Sequence, residues 1–213
     1  MYTTTRALVL RSVEYKEASR ILTVLTDTDG KLTVSARGAM RKNSRVMAAV
    51  QPLVLSEMTL SKNRDRYTLT EAHVIEQFRE LSEDLSRFAL GVYFAELLEA
   101  VSDEDSPSPE LLPLGLNALY ALAVGERPNA LVKAAFELRL MCVSGYLPEL
   151  AGLRADADTL AAIRYITTCD AKRLYAFELE KPKNLARFAE TYVTEQLERG
   201  FGSLDYYKKV ASI

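Results

Sequence analysis

The sequence predicts an α+β protein, with a small closed barrel of five strands followed by an all-helical region. Three observations predict it. Over roughly the first 75 residues apolar side chains come in short alternating runs, whereas after Arg79 they recur at helical spacing. The charge changes sign at the same place: residues 1–79 carry 13 Lys and Arg against 8 Asp and Glu, and residues 80–213 carry 14 against 21. The chain of 213 residues is long enough for two small domains, here 1–79 and 80–213, each with a real core.

Residues 5–13 and 21–26 are short runs rich in branched side chains, the composition of strands. In 31–37 the alternation is strict: Leu32, Val34 and Ala36 point one way, and Lys31, Thr33, Ser35 and Arg37 the other. Asp27-Thr28-Asp29-Gly30, just before, has the Asp-Gly chemistry of a hairpin turn. Residues 53–60 and 66–70 make a fourth and a fifth strand, joined by the polar loop Ser61-Lys62-Asn63-Arg64-Asp65. Closing five such strands into a barrel removes exposed sheet edges.

The helical region follows its own pattern. Leu85, Phe88, Ala89 and Val92 keep i, i+3, i+4, i+7 spacing behind Ser82 as N-cap. Leu131, Ala134, Ala135, Leu138 and Cys142 repeat it, as do Leu185, Phe188, Ala189 and Tyr192. Pro128 and Pro182 suit first helical turns, Gly145 and Gly200 suit helix ends, and Ser106-Pro107-Ser108-Pro109 is a connecting loop. These apolar positions are expected to be core rather than a cofactor box.

Several function classes are disfavoured. Cys142 and Cys169 are too few for a disulfide framework or a four-thiolate metal site, and are expected to be buried, reduced thiols. The N-terminus lacks the apolar core of a signal peptide. The most apolar window, 111–124, contains Pro113 and Asn117 and is shorter than the ~20 residues that span a bilayer. A cytoplasmic protein without a membrane partner is expected. The single histidine, His73, has no visible nucleophile or carboxylate partner, and no phosphate-loop, dinucleotide or hydrolase motif is present. The expectation is a protein that is not an enzyme, with no cofactor and no metal.

The informative stretch is Ala36-Arg37-Gly38-Ala39-Met40-Arg41-Lys42-Asn43-Ser44-Arg45, with four cations in the nine positions 37–45. Lys62, Arg64 and Arg66 form a second cluster around the loop between strands four and five. From Lys31 to Arg66 there are 8 basic residues and 2 acidic ones. In an oligonucleotide-binding (OB-fold) barrel, the loops after strand one and between strands four and five flank the binding face. Cations there neutralise phosphates and release counterions, which drives binding without sequence preference. The candidate DNA-binding residues are therefore Lys31, Arg37, Arg41, Lys42, Arg45, Lys62, Arg64 and Arg66, with Tyr67 as a possible stacking face or barrel side chain.

The run Tyr15-Lys16-Glu17-Ala18-Ser19-Arg20-Ile21, then Thr26 to Gly30-Lys31, then Ala36-Arg37-Gly38-Ala39 with Arg41 and Ser44-Arg45, resembles the N-terminal domain of the RecO family of bacterial DNA repair proteins. Gln51-Pro52-Leu53, Tyr93 with Glu96-Leu97-Leu98, Phe136-Glu137-Leu138-Arg139-Leu140, Gly145-Tyr146 with Pro148, and Ser203-Leu204-Asp205 continue the likeness in order along nearly the whole chain. The resemblance implies an OB-fold barrel plus a helical domain. It also implies a recombination mediator that binds single- and double-stranded DNA and anneals complementary strands. Such a mediator acts with RecR, and sometimes RecF, to help RecA replace single-strand-binding protein, in the cytoplasm and at the nucleoid. The acidic C-terminal tail of single-strand-binding protein would dock on the helical domain, with Lys133, Arg139 and Arg164 as candidate rim residues. One departure is plain: where many relatives carry a four-cysteine zinc module, Glu149-Leu150-Ala151-Gly152-Leu153-Arg154-Ala155-Asp156 runs straight into the next helix, so no zinc is expected. Two other readings use the same residues: an RNA-binding accessory protein, or a protein-only adaptor whose cations meet an acidic partner.

Overall fold

The computed structural model describes residues 2–64, 66–146 and 155–212. Asp65 of the polar loop, Pro148, and the part of the zinc-module departure in 149–154 lie outside the described residues. Five strands, β1 (Tyr2–Tyr15), β2 (Ser19–Thr26), β3 (Lys31–Ala36), β4 (Leu55–Asn63) and β5 (Arg66–Glu76), close in the order β1-β2-β3-β5-β4. All neighbours run antiparallel except β3 and β5. Alternate residues fill the barrel: Ala7, Val9, Leu22, Val24, Leu32, Val34, Met58, Leu60 and Leu69 are buried in one core cluster.

The strands are longer than the apolar runs that predict them. Tyr2, Thr3 and Thr4 pair with Ser61, Leu60 and Thr59, and a ladder of backbone hydrogen bonds needs no apolar side chain. β4 begins two residues later than expected, because Leu53 lies before it with φ +65°. The register of β1 against β2 slips between Val9 and Arg11, which leaves Leu10 as the extra residue of a bulge.

The chain divides into two compact units, Met1–Arg79 with Val92–Leu112, and Glu80–Gly91 with Pro113–Ile213. The stretch 92–112 thus clusters with the barrel. Specific bonds fasten it there. Arg11 donates to the Glu99 carboxylate at 2.8 Å, Lys31 Nζ donates to the Glu99 carbonyl at 2.9 Å, and Tyr67 donates its hydroxyl proton to Asp105 at 2.9 Å. The division falls within α1 (Leu85–Val101).

The other helices are α2 (Leu111–Val124), α3 (Asn129–Val143), α4 (Ala157–Thr168), α5 (Pro182–Leu197) and α6 (Gly202–Ala211). In the helical unit α3 packs against α4 and α5 and is buried over most of its length. Three details depart from the sequence reading. The N-cap of α1 is Asp84, whose carboxylate accepts the Arg87 N–H, and not Ser82. Its buried positions include Leu90, Tyr93, Phe94 and Leu97, whereas Leu85 and Phe88 are exposed. Cys142 and Cys169 are free and half-buried rather than fully buried.

The turn before β3 shows why a glycine stands at position 30. Its φ is +70°, and a Cβ built there would lie 2.1 Å from the backbone oxygen of Ser106. Main chain cannot yield as a flexible side chain does, so Gly30→Ala is expected to destabilise the protein by about 2 kcal/mol or more. Urea unfolding followed by circular dichroism measures it.

Candidate nucleic-acid interface

The segment 37–54, which joins β3 to β4, determines where the first basic cluster stands. Ala39, Ala49 and Val50 are buried in the barrel's core cluster, with Met40 and Val46 packed against it. The segment is also tied to the β1–β2 turn: Met40 N–H donates to the Ala18 carbonyl at 3.0 Å, and Gly38 N–H to Ser19 Oγ at 3.2 Å. Gly38 adopts φ +65°, which lets the chain turn so that Arg41 N–H reaches the Gly38 carbonyl at 3.1 Å. With the apolar residues turned inward, Arg37, Arg41, Lys42 and Arg45 are all exposed. None of the four has an ion-pair partner among the described residues.

Two cations missing from the sequence-based set stand at the same end. Lys16 is exposed in the β1–β2 turn, and Arg20 bonds Glu14 at 3.1 Å. Both occur in the quoted run Tyr15–Ile21; only the contact of 38–40 with that turn brings them beside the first cluster.

The second cluster is built differently. Lys62 Nζ donates to the Tyr67 hydroxyl at 2.6 Å and lies 3.7 Å from the Asp105 carboxylate. The hydrogen bond to Tyr67 raises the Lys62 ammonium above its ordinary range, while burial, foremost, raises the Tyr67 phenol. Tyr67 is only 8% exposed and belongs to the barrel core, so it is a barrel side chain and offers no stacking face. Lys31 is half-buried, and its ammonium donates to the Glu99 carbonyl near the end of α1. Arg64 and Arg66 are exposed and have no ion-pair partner among the described residues.

The two clusters are offset along the barrel wall. Val34 pairs with Tyr67 and Ser35 with Thr68 in parallel, so Arg66 at the start of β5 lies level with Thr33 in the middle of β3. Arg37 follows the end of β3, four residues beyond Thr33, or roughly 13 Å along the strand.

The candidate rim residues fare worse. Lys133 is 3% exposed; its ammonium contacts Glu137 at 2.8 Å and Glu190 at 3.0 Å, and Lys208 bonds Glu190 from α6. A buried ion network is not a pocket rim. Arg139 donates to the carbonyls of Thr167 and Cys169, which satisfies the open C-terminal end of α4. Arg164 alone is exposed. His73 is exposed in β5, 3.2 Å from Glu71. Among the described residues no three His, Cys, Asp or Glu side chains gather as metal ligands, and no helix is long and apolar enough to cross a membrane.

A closed five-stranded barrel in this strand order, with exposed cations in its loops and helices after it, defines an OB-fold protein with a helical domain. The sequence profile described as "Recombination protein O N terminal" matches residues 1–78, and that of "Recombination protein O C terminal" matches residues 82–152. The chain belongs to the recombination protein O family. DNA repair protein RecO of Acetivibrio thermocellus is 28% identical over 247 residues, covering 100% of this chain and 98% of that protein. The protein of the same name from Heliobacterium modesticaldum is 41% identical over 145 residues, 68% of this chain and 52% of its own. The one from Desulforudis audaxviator is 38% identical over 146 residues, 68% of this chain and 58% of its own. In those last two alignments the chain spans little more than half of the relative's length.

The ion network generates a prediction. Lys133→Ala removes the ammonium that contacts Glu137, which is wholly buried, and is expected to cost about 3–5 kcal/mol in urea unfolding. Adding Glu137→Gln should recover part of the loss. Burial alone would raise the Glu190 carboxyl, but bonds from Lys208 and Lys133 hold it below the ordinary glutamate range. The stability it contributes is therefore present above about pH 4.3 and is lost as the pH falls through the lower folded value. Glu190→Gln should flatten that acid limb of the stability profile.

Proposed function

We propose that this chain is a recombination mediator that binds single- and double-stranded DNA through its barrel, anneals complementary strands and, with RecR, helps load RecA onto DNA coated with single-strand-binding protein. The observation that carries the DNA-binding step is the group of four exposed cations, Arg37, Arg41, Lys42 and Arg45, which have no ion-pair partner among the described residues and are anchored over one end of the barrel by buried Ala39, Ala49 and Val50. Arg64 and Arg66 add charge farther along the barrel wall.

Guanidinium and ammonium groups held outward on a fixed scaffold neutralise phosphates. Contacts to phosphate carry no base sequence, which suits a mediator acting at any gap. By screening repulsion between two strands they also favour annealing. In this reading the protein breaks no covalent bond and needs no cofactor or metal, and it works in the cytoplasm at the nucleoid. The acidic C-terminal tail of single-strand-binding protein is its proposed partner on the helical unit, with Arg164 as the remaining rim candidate.

Replacing Arg37, Arg41 and Arg45 together by Ala should weaken binding to both DNA forms. The slope of log affinity against log salt should become shallower by about two for single strands and nearly three for duplex, if each side chain neutralises one phosphate. Fluorescence anisotropy over a salt series measures both. An unchanged affinity and slope would remove the basis for this reading.

A further inference from the structure

The outward face of the barrel wall is half covered and half open. Pairing runs from Val13 to Ile21 and from Ile21 to Ser35, and from Arg11 to Thr23 and Thr23 to Thr33. Tyr15, two residues beyond Val13, pairs with Ser19. By the period of a strand, Arg11, Val13 and Tyr15 share one side, the side away from the core residues Leu22 and Val34. Near the β2–β3 turn this side is occupied, because Arg11 and Lys31 both bond Glu99 of α1. Near the β1–β2 turn it is open: Val13 is 45% exposed and Tyr15 47%.

A closed barrel has no free edge there, so the open apolar pair is not a site for strand addition. Its surroundings indicate the occupant. Lys16 lies over the Tyr15 ring, 5.3 Å from its centroid. The segment carrying Arg37 and Arg41 is hydrogen-bonded to the same turn through Ala18 and Ser19. An aromatic ring flanked by phosphate-neutralising cations matches a nucleotide whose base is unpaired.

We infer that Tyr15, with Val13 beside it, is a stacking platform for an unpaired base of a single strand, and that it makes the barrel prefer single-stranded to duplex DNA. A duplex keeps its base faces stacked on one another, so it can engage the cations but not the ring. This inference rests on the DNA-binding reading above and adds the discriminating group to it.

The test uses the full chain, with fluorescence anisotropy on three probes: oligothymidylate, the same length of abasic strand, and a duplex. Tyr15→Ala should weaken binding to oligothymidylate roughly tenfold or more, the effect of losing one base–aromatic stack. Binding to the abasic strand and to duplex should stay within about twofold, and Tyr15→Phe should bind like the original protein. An unchanged thermal midpoint confirms that the exposed substitution leaves the fold intact. Equal weakening on all three probes, no weakening on any, or the same loss in Tyr15→Phe would each overturn the inference. The arginine triple variant separates the two levels. If it weakens all probes while Tyr15→Ala weakens none, only the stacking platform fails; if it weakens none, the DNA-binding reading itself fails.

Discussion

The interaction on which the basic surface depends is apolar. A five-stranded barrel has an end to close, and here the small side chains of Ala39, Ala49 and Val50 close it from the segment between β3 and β4. Small residues let the main chain come close to the core, and once they are inward the larger cations between them have only solvent to enter. The same anchoring holds 38–40 within hydrogen-bond reach of Ala18 and Ser19. The β1–β2 turn, with Tyr15 and Lys16, is thereby brought to the cationic end. Arg37, Arg41, Lys42 and Arg45 keep their hydration and have no ion-pair partner among the described residues, the state in which a cation is available to a phosphate.

The opposite end is closed by other means, with an electrostatic consequence. Residues 99–106 lie against it: Glu99 takes Arg11 and Lys31, Asp105 takes Tyr67 and Lys62, and Ser106 presses on Gly30. Its carboxylate and carbonyl groups occupy two of the cations that a count along the chain assigns to the basic face. The 8-to-2 excess of basic residues between Lys31 and Arg66 is real, but its two halves are unequal in three dimensions.

What was legible in the sequence, and what was not, follows the range of the forces involved. Strict alternation in β3 and the Asp-Gly turn before it report local geometry, and both are found in place, as is the barrel they imply. Strand limits were less legible, because the backbone ladder continues through polar residues such as Thr3 and Thr4. The candidate interface was legible where exposure follows from local pattern, as in Arg37-Gly38-Ala39-Met40-Arg41. It was illegible where a partner comes from far along the chain. Lys31 and Glu99 are 68 residues apart, Tyr67 and Asp105 are 38, and Lys133 and Glu190 are 57, and nothing in the neighbourhood of any of these residues announces the other. Lys133 and Glu137 stand at helical i, i+4 spacing, which reads as a solvated surface pair; burial of α3 turns that pattern into a core network.

Lys133 and Arg37 then show one kind of charge in two uses. Taking an ammonium out of water is costly unless anions surround it, so Lys133 is matched by Glu137 and Glu190 and has no charge left to offer a ligand. Arg37 remains hydrated, and its value is realised only when a polyanion arrives and counterions leave. The net charge of −2 therefore says little about affinity for DNA. At physiological ionic strength, exposed charges more than about 8 Å apart are largely screened from one another. A phosphate at the 37–45 segment responds to the cations within that distance, and the acidic excess carried elsewhere in the sequence acts on it only weakly.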